Sequence, residues 1–294
     1  MTFSIVATDG TAAGVAVASK FLAVGSVVPT ARLVAPGDGA GPRLVGAVAT
    51  QAMAKWSYRQ DALDLLEAGE DAGAAVARVT AADHDRAHRQ LGLVGKDSQA
   101  TYTGAECLVW AGGRSGAADD GRYAIQGNIL VGEQVVVDME RAWRQSAGMP
   151  FERRLLAALL AGDAAGGDSR GRQSAALYVV AAGAGYDGSG VMVDLRVEDH
   201  ADPLQEVGRL LDLNDLFFGG PQGVQPLTGD LADEVSARLT RLGHTGPVDD
   251  ALAEWAGVEN YEMRMTPGGI DAKVLAALRA ATATGTGTET GTGT

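Results

Sequence analysis

The first place where residue type and position could do chemistry is Thr2, set directly after Met1 and leading the run Phe3-Ser4-Ile5-Val6-Ala7. If Met1 is removed, Thr2 carries a free α-amine beside its own hydroxyl. Such an amine titrates near neutrality, so one residue supplies both nucleophile and base. Lys20 follows a second apolar run, Val15-Ala16-Val17, and could lie beside Thr2 across a hairpin, where its charge would lower the amine's pKa. Arg32 competes for that part, and Ser19 could hydrogen-bond the amine. The plain alternatives are Met-Thr as merely a common start, Lys20 as a solvated lysine at a strand end and Ser19 as local turn chemistry.

Three further groups could complete a site. Thr50-Gln51 stands where an apolar strand is expected to meet a helix, and unpaired N–H groups at a helix start suit an oxyanion; Thr50 as a simple N-cap is the alternative. Asn128, in Gln126-Gly127-Asn128, could donate its amide to a developing oxyanion or hold a substrate carboxylate. In Gly167-Asp168-Ser169-Arg170-Gly171, Arg170 could clamp a carboxylate bidentately with Asp168 orienting it; a surface ion pair is the alternative. His84 and His88 have a spacing that two ligands on one helix face could use, but the segment around them is charged and reads as solvated. The single cysteine, Cys107, sits in an apolar strand-like run and reads as buried and inert. Neither a serine-hydrolase elbow nor a dinucleotide fingerprint occurs. No cofactor or metal is called for.

The elements that must position these residues come in groups. Strands are expected at the N-terminal hairpin, at Ala31–Val34 and at Leu44–Ala49, and the stretch from Phe21 to Pro29 reads as extended. A turn is expected over Ala35–Pro42. Helical spacing then runs to Ala68 and from Asp71 to Thr80. Strands near Gln90–Val94, Ala100–Tyr102 and Leu108–Trp110 are followed by a polar loop over Gly112–Gly121. Helices are expected at Glu133–Ser146 and Pro150–Gly162, a strand pair at Ala175–Val180 and Val191–Leu195, and a closing helix at Pro203–Leu213. Grouped strands and grouped helices do not make βαβ alternation; they fit two antiparallel sheets packed face to face between helix pairs, a four-layer αββα sandwich. Past a linker at Phe217–Gly223, helices at Leu231–Leu239, Asp249–Trp255 and Ile270–Leu278 form a small module, and Ala281–Thr294 is a Thr/Gly tail expected to be disordered.

Composition narrows the partners. A net charge of −13 with no basic stripe argues against nucleic acid and anionic membranes. With no leader and no apolar run near the ~20 residues of a membrane span, the expectation is a cytoplasmic protein that neither enters nor crosses a membrane.

The segments Thr2–Ala7, Ser19-Lys20-Phe21-Leu22-Ala23-Val24-Gly25, Ala47–Gln51, Gln126–Leu130, Gly167–Ala175 and Asp194–His200 together resemble DUF1028, a bacterial family of unknown function, over roughly residues 1–215. That family is similar to the N-terminal nucleophile (Ntn) hydrolases, whose fold is the αββα sandwich. The resemblance strengthens Thr2 as nucleophile and supplies no substrate; the expected site has Thr2, Lys20, Gln51 and Asn128 on the catalytic side and Asp168, Arg170, Gln173 and Arg32 on the substrate side. Residues 216–280 resemble a peptidoglycan-binding-like module, with 281–294 as the tail. The functional expectation is an amidohydrolase that acts on the C–N bond of a small carboxylate-bearing amide. The alternative is a non-catalytic binding or regulatory protein on the same scaffold. A homo-oligomer is compatible with either.

Overall fold

The computed structural model of the chain describes residues 2–35, 41–118 and 120–283. Met1, part of the turn expected over Ala35–Pro42, and the tail from 284 onward lie outside the described residues. The chain divides into two compact units, Met1–Leu211 and Asp212–Thr294.

The first unit opens with strands β1 (Thr2–Thr8) and β2 (Ala12–Ser19), the short helix α1 (Val24–Val27), and strands β3 (Pro29–Val34) and β4 (Arg43–Ala52). Helices α2 (Ser57–Glu67) and α3 (Ala72–Ala81) precede strands β5 (Arg89–Gly95), β6 (Gln99–Thr103), β7 (Trp110–Ala118) and β8 (Gly121–Leu130). Helices α4 (Gln134–Gln145) and α5 (Phe151–Ala164), strands β9 (Ser174–Ala181) and β10 (Val191–Val197), and helix α6 (Pro203–Phe218), whose residues from Asp212 onward belong to the second unit, follow. The strands form a six-stranded sheet, ordered β10-β9-β2-β1-β8-β7, and a four-stranded sheet, ordered β3-β4-β5-β6, with antiparallel pairing throughout.

The period-2 pattern of β1 decides where its two faces go. Phe3, Ile5 and Ala7 join Met139 and Trp143 of α4 and Leu155 and Leu159 of α5 in one buried cluster. Val6 faces the other way, into a cluster with Val15 and Val17 of β2, Ala47 and Ala49 of β4 and Val94 of β5. Other β4 and β5 residues, Val45, Val48, Leu91 and Leu93, cluster instead with Tyr58 and Leu63 of α2 and Val76 of α3. β1 is buried along its whole length, so Ser4 and Thr8 are polar groups in a packed interior and must find partners there. In β2, Gly14 is required by close approach, because a Cβ there would stand 2.6 Å from the Tyr178 carbonyl oxygen.

Several expected elements are corrected. Gly112–Gly121, read as a loop, is largely strand: β7 is a glycine- and alanine-rich edge strand, too exposed to carry an apolar signature. Leu108 precedes that strand rather than belonging to it, and Cys107 is half-buried in the same connection, its thiol 3.5 Å from the Arg89 carbonyl. The extended reading after Phe21 gives way to α1, entered through Ala23 at φ 53°. The expected linker from Phe217 begins later, because α6 continues through Phe218.

In the second unit, β11 (Gln225–Pro226), α7 (Gly229–Arg241), α8 (Val248–Val258), β12 (Gly269–Ile270) and α9 (Ala272–Ala283) surround a core of Val235, Leu239, Leu252, Trp255, Ile270, Leu275 and Leu278. Helix α9 thus takes in Ala281–Ala283, the first residues of the expected tail. Arg264 is fully enclosed and donates to the carbonyls of Leu216 (2.6 Å), Gly220 (3.0 Å) and Asp215 and to Asp271 Oδ2 (3.1 Å). Among the described residues no helix is long and apolar enough to cross a membrane.

Candidate functional site

Thr2 begins β1, at the centre of the six-stranded sheet. The β1–β2 register carries it opposite Ser19, and the two hydroxyl oxygens lie 3.1 Å apart. On its other side Thr2 pairs with Asn128 of β8. Its main-chain carbonyl accepts from Gln51 Nε2 (3.2 Å) and Asn128 Nδ2 (3.4 Å). Thr2 is 5% exposed, so both its hydroxyl and its backbone are held within the fold.

Beneath Thr2 lies an uncharged polar network in the space between the sheets. Gln90 Oε1 accepts from Gln51 Nε2 (2.7 Å) and Asn128 Nδ2 (3.1 Å), while its own amide donates to the Gly127 carbonyl (2.8 Å) and Thr103 Oγ1 (2.9 Å). Ser4 donates to Gln51 Oε1 and accepts from Gln126 Nε2, both at 2.7 Å. Thr101 donates to Gln126 Oε1 at 3.3 Å. Amides suit such a place because each offers donors and acceptors without the desolvation cost of an ion. Gly92 leaves room for the Gln126 amide, since a Cβ there would stand 2.1 Å from its oxygen.

A β-bulge aims Asn128. Trp110 pairs with Leu130 and Ala111 with Asn128, so Ile129 is the extra residue of β8, at φ 52°. A β-branched residue in the left-handed region is strained and stands only where its surroundings fix it. Here the Leu108 carbonyl takes the Ile129 N–H, and the Ile129 carbonyl accepts from the Ser169 N–H and hydroxyl. The bulge therefore joins Asn128 to the glycine loop.

In that loop Asp168 is buried beside the end of β2. Its carboxylate accepts the Lys20 N–H (2.8 Å) and the Arg170 N–H (2.9 Å), and the Arg170 guanidinium lies 3.4 Å away. A cavity of about 270 Å³ opens here, lined by Phe3, Ser19, Asp168, Arg172, Ser174 and Leu204 among others.

The expected site residues are thus partly gathered. Thr2, Gln51 and Asn128 meet directly, and Asp168 and Arg170 stand together at the end of β2. Gln173 donates its N–H to the Ser19 carbonyl (3.1 Å) and its side-chain amide to Asp199 (3.0 Å). Lys20 turns its ammonium to the Arg172 carbonyl at 3.2 Å, not to Thr2. Arg32 is engaged by Asp64 (2.5 Å), Glu67 (3.0 Å) and Gln60 (2.7 Å) of α2 and is not brought to Thr2.

Thr50 and Gln51 lie inside β4, with α2 starting only at Ser57, so the expected helix-start oxyanion hole is absent there. The Thr50 N–H is taken by the Val28 carbonyl at 3.3 Å, and Gln51 pairs with Gln90. His84 is exposed and His88 meets Glu106 at 2.9 Å. The segment around them is not all solvated: Asp83, just before His84, is buried, accepting from Tyr58 Oη (2.8 Å) and Arg89 Nε (3.0 Å).

Sequence reasoning missed Ser4, Gln90 and the structural part played by Gln126. Their signal was present, as a serine and two glutamines at inward positions of otherwise apolar strands.

Residues 2–207 match the family described as "Family of unknown function (DUF1028)", and residues 217–278 match the one described as "Putative peptidoglycan binding domain". A crystal structure of a DUF1028-family protein from Silicibacter pomeroyi is similar at 30% identity with a TM-score of 0.58, covering 79% of this chain and 92% of that one. No curated protein matches. A mixed α/β chain with this polar centre and this family match has one assignment: it belongs to the DUF1028 family.

Proposed function

We propose that the Met1–Leu211 unit is an αββα sandwich of the Ntn type that hydrolyses an amide bond, with Thr2 as nucleophile. The sandwich reading is supported by the three buried clusters: α4 and α5 against the six-stranded sheet, sheet against sheet, and the four-stranded sheet against α2 and α3.

The observation that carries the activity is the double restraint of Thr2. Two amide donors fix its carbonyl and Ser19 fixes its hydroxyl, at the very start of a central strand. The mechanism requires a mature chain whose first residue is Thr2. Its Oγ attacks the substrate carbonyl, and its α-amine accepts the hydroxyl proton and returns it to the leaving nitrogen. Water then resolves the acyl-enzyme.

Gln51 and Asn128 act by holding the nucleophile's main chain. Arg170, on the glycine loop, takes the carboxylate of a small substrate, and Asp168 orients it through the same loop. Intact mass and turnover of small carboxylate-bearing amides test this together. Active protein that retains Met1 excludes the mechanism, and Thr2→Ala should fold and lose turnover.

A second reading, a non-catalytic binding protein with the C-terminal module as its recognition part, is favoured by one observation. Thr2 is closed off at 5% exposure, and the nearby cavity is lined by neither Gln51, Asn128, Lys20 nor Arg170. No turnover at all by protein lacking Met1 decides for it, whereas turnover that Thr2→Ala does not abolish excludes both readings.

A further inference from the structure

Three arginines in the described chain are buried: Arg59, Arg154 and Arg264. Arg154 pairs with Asp120 at 3.0 Å and Arg264 with Asp271 at 3.1 Å. Arg59 pairs with no carboxylate among the described residues. Its Nη1 reaches only the carbonyls of Ser26 and Pro29, each at a long 3.4 Å, and its Nε is enclosed with no hydrogen-bond partner. The indole of Trp56 lies over its guanidinium at 3.3 Å, and that indole is itself 60% exposed.

This arrangement is costly by the ordinary rules of burial. A charge removed from water is stabilised by an opposite charge or a full set of hydrogen bonds, and Arg59 has neither. A second arginine makes matters worse: the stem of Arg196 packs over Gly25 of α1, next to the Ser26 carbonyl that Arg59 addresses. Arg196 is itself neutralised by Asp194, at 2.8 Å, and so has no carboxylate to share. Burial together with the charge of Arg196 lowers the affinity of Arg59 for its proton, as an uncompensated cation requires. Nor does the first turn of α2, in which Arg59 sits, contain an acidic residue.

We propose that Arg59, beneath Trp56 and beside α1, is the binding site for a small carboxylate anion. One guanidinium fork matches one carboxylate, and an acidic chain of net charge −13 disfavours a multiply charged ligand where only one buried cation faces it. The carboxylate is that of a free small acid, since the reading above gives the substrate's own acid group to Arg170. The site does not depend on Thr2 chemistry, because it rests on α1, β3, α2 and β10.

The test titrates the full chain with sodium acetate, sodium benzoate and sodium phosphate at constant ionic strength, reading Tm and tryptophan emission. The expected result is a saturable rise in Tm with the carboxylates, accompanied by an emission change that Trp56→Phe removes. Arg59→Met should weaken carboxylate binding at least tenfold, and Arg59→Gln serves where Arg59→Met does not fold. Arg170→Ala should leave the acetate response unchanged, whereas its loss in that variant would overturn the proposal. An unsaturable response, an equal response in wild type and Arg59→Met, or tighter binding of phosphate than of acetate would overturn it. Arg59 would then be a cation held by two carbonyls and an indole.

Discussion

The side-chain oxygen of Gln90 meets the amide nitrogen of Gln51 at 2.7 Å, in the space between the two sheets. Because that oxygen also accepts from Asn128, it sets the direction of both amides, turning their donors toward the Thr2 carbonyl. Gln90 touches neither the hydroxyl nor the backbone of Thr2, yet it decides how Thr2 is held. Gln90→Leu removes the shared acceptor and leaves buried amide groups unpaired, at about 1–3 kcal/mol each. Urea unfolding should therefore show a lowered midpoint with an unchanged slope. A midpoint equal to wild type would mean that the network does not bear on stability.

A second polar centre ties α2 and α3 to the start of β5. Asp83 accepts from Tyr58, Arg89 and the Asp85 N–H. Burial pushes its carboxyl pKa up, but the hydrogen bonds of Tyr58 and Arg89 and the charge of Arg89 outweigh this and hold it well below the usual range. The folded-state pKa is thus depressed. The stability it gives is present above the unfolded value of about 3.9 and is lost as pH falls through the folded value. Asp83→Asn should be markedly less stable than wild type at pH 7, and the gap should narrow below about pH 4. Thermal unfolding across pH 2 to 7 measures it, and a gap that stays constant over that range refutes the linkage.

Much of this was legible because it rests on period and punctuation. The alternation in Phe3-Ser4-Ile5-Val6-Ala7 gave β1, and the helical spacing up to Leu66 and again from about Asp71 gave α2 and α3. Thr2 could be singled out by its place directly after Met1, and Gln51 and Asn128 because polar residues stand there at the ends of strands. Pairing across the molecule could not be read. Arg32 looks like a cation near the first hairpin, yet β3 is the edge of the other sheet and α2 supplies its carboxylates. Thr50-Gln51 looks like a strand-to-helix junction, but β4 runs on to Ala52, in register with β5. β7 escaped notice for the opposite reason: an exposed edge strand of glycine, alanine and serine has the composition of a loop.

The second unit holds its buried ion pair by full satisfaction rather than by charge alone. Asp271 accepts from Arg264 and from the N–H groups of Gln222 (2.5 Å), Lys273 (2.7 Å) and Val274 (3.1 Å). Asp271→Ala strands a fully buried guanidinium together with those three amides. Breaking a buried pair in this way costs about 3–5 kcal/mol. Hydrogen exchange should accelerate at Gln222, Lys273 and Val274, while amides in β1 and β8 keep their protection. Unchanged exchange at all three would show that another group replaces the carboxylate.

The last prediction concerns what Arg170 does for the proposed reaction. Its guanidinium is 3.4 Å from Asp168 Oδ2, and its side chain is 45% exposed, so it stands at a surface where a small ligand can reach it. Asp168 does not depend on that contact for its place, since the Lys20 and Arg170 backbone N–H groups hold it at 2.8 and 2.9 Å. Arg170→Ala should accordingly fold with a Tm close to wild type. Losing one partner of a charge-assisted contact costs about 1.5–3 kcal/mol, or roughly ten- to a hundredfold in affinity. KM for a carboxylate-bearing amide should rise by about that factor, with kcat falling far less than in Thr2→Ala. Arg170→Lys keeps the charge but loses the two-pronged fork, and should lie between wild type and Arg170→Ala. The same KM in all three proteins, or a loss confined to kcat, would remove Arg170 from substrate recognition.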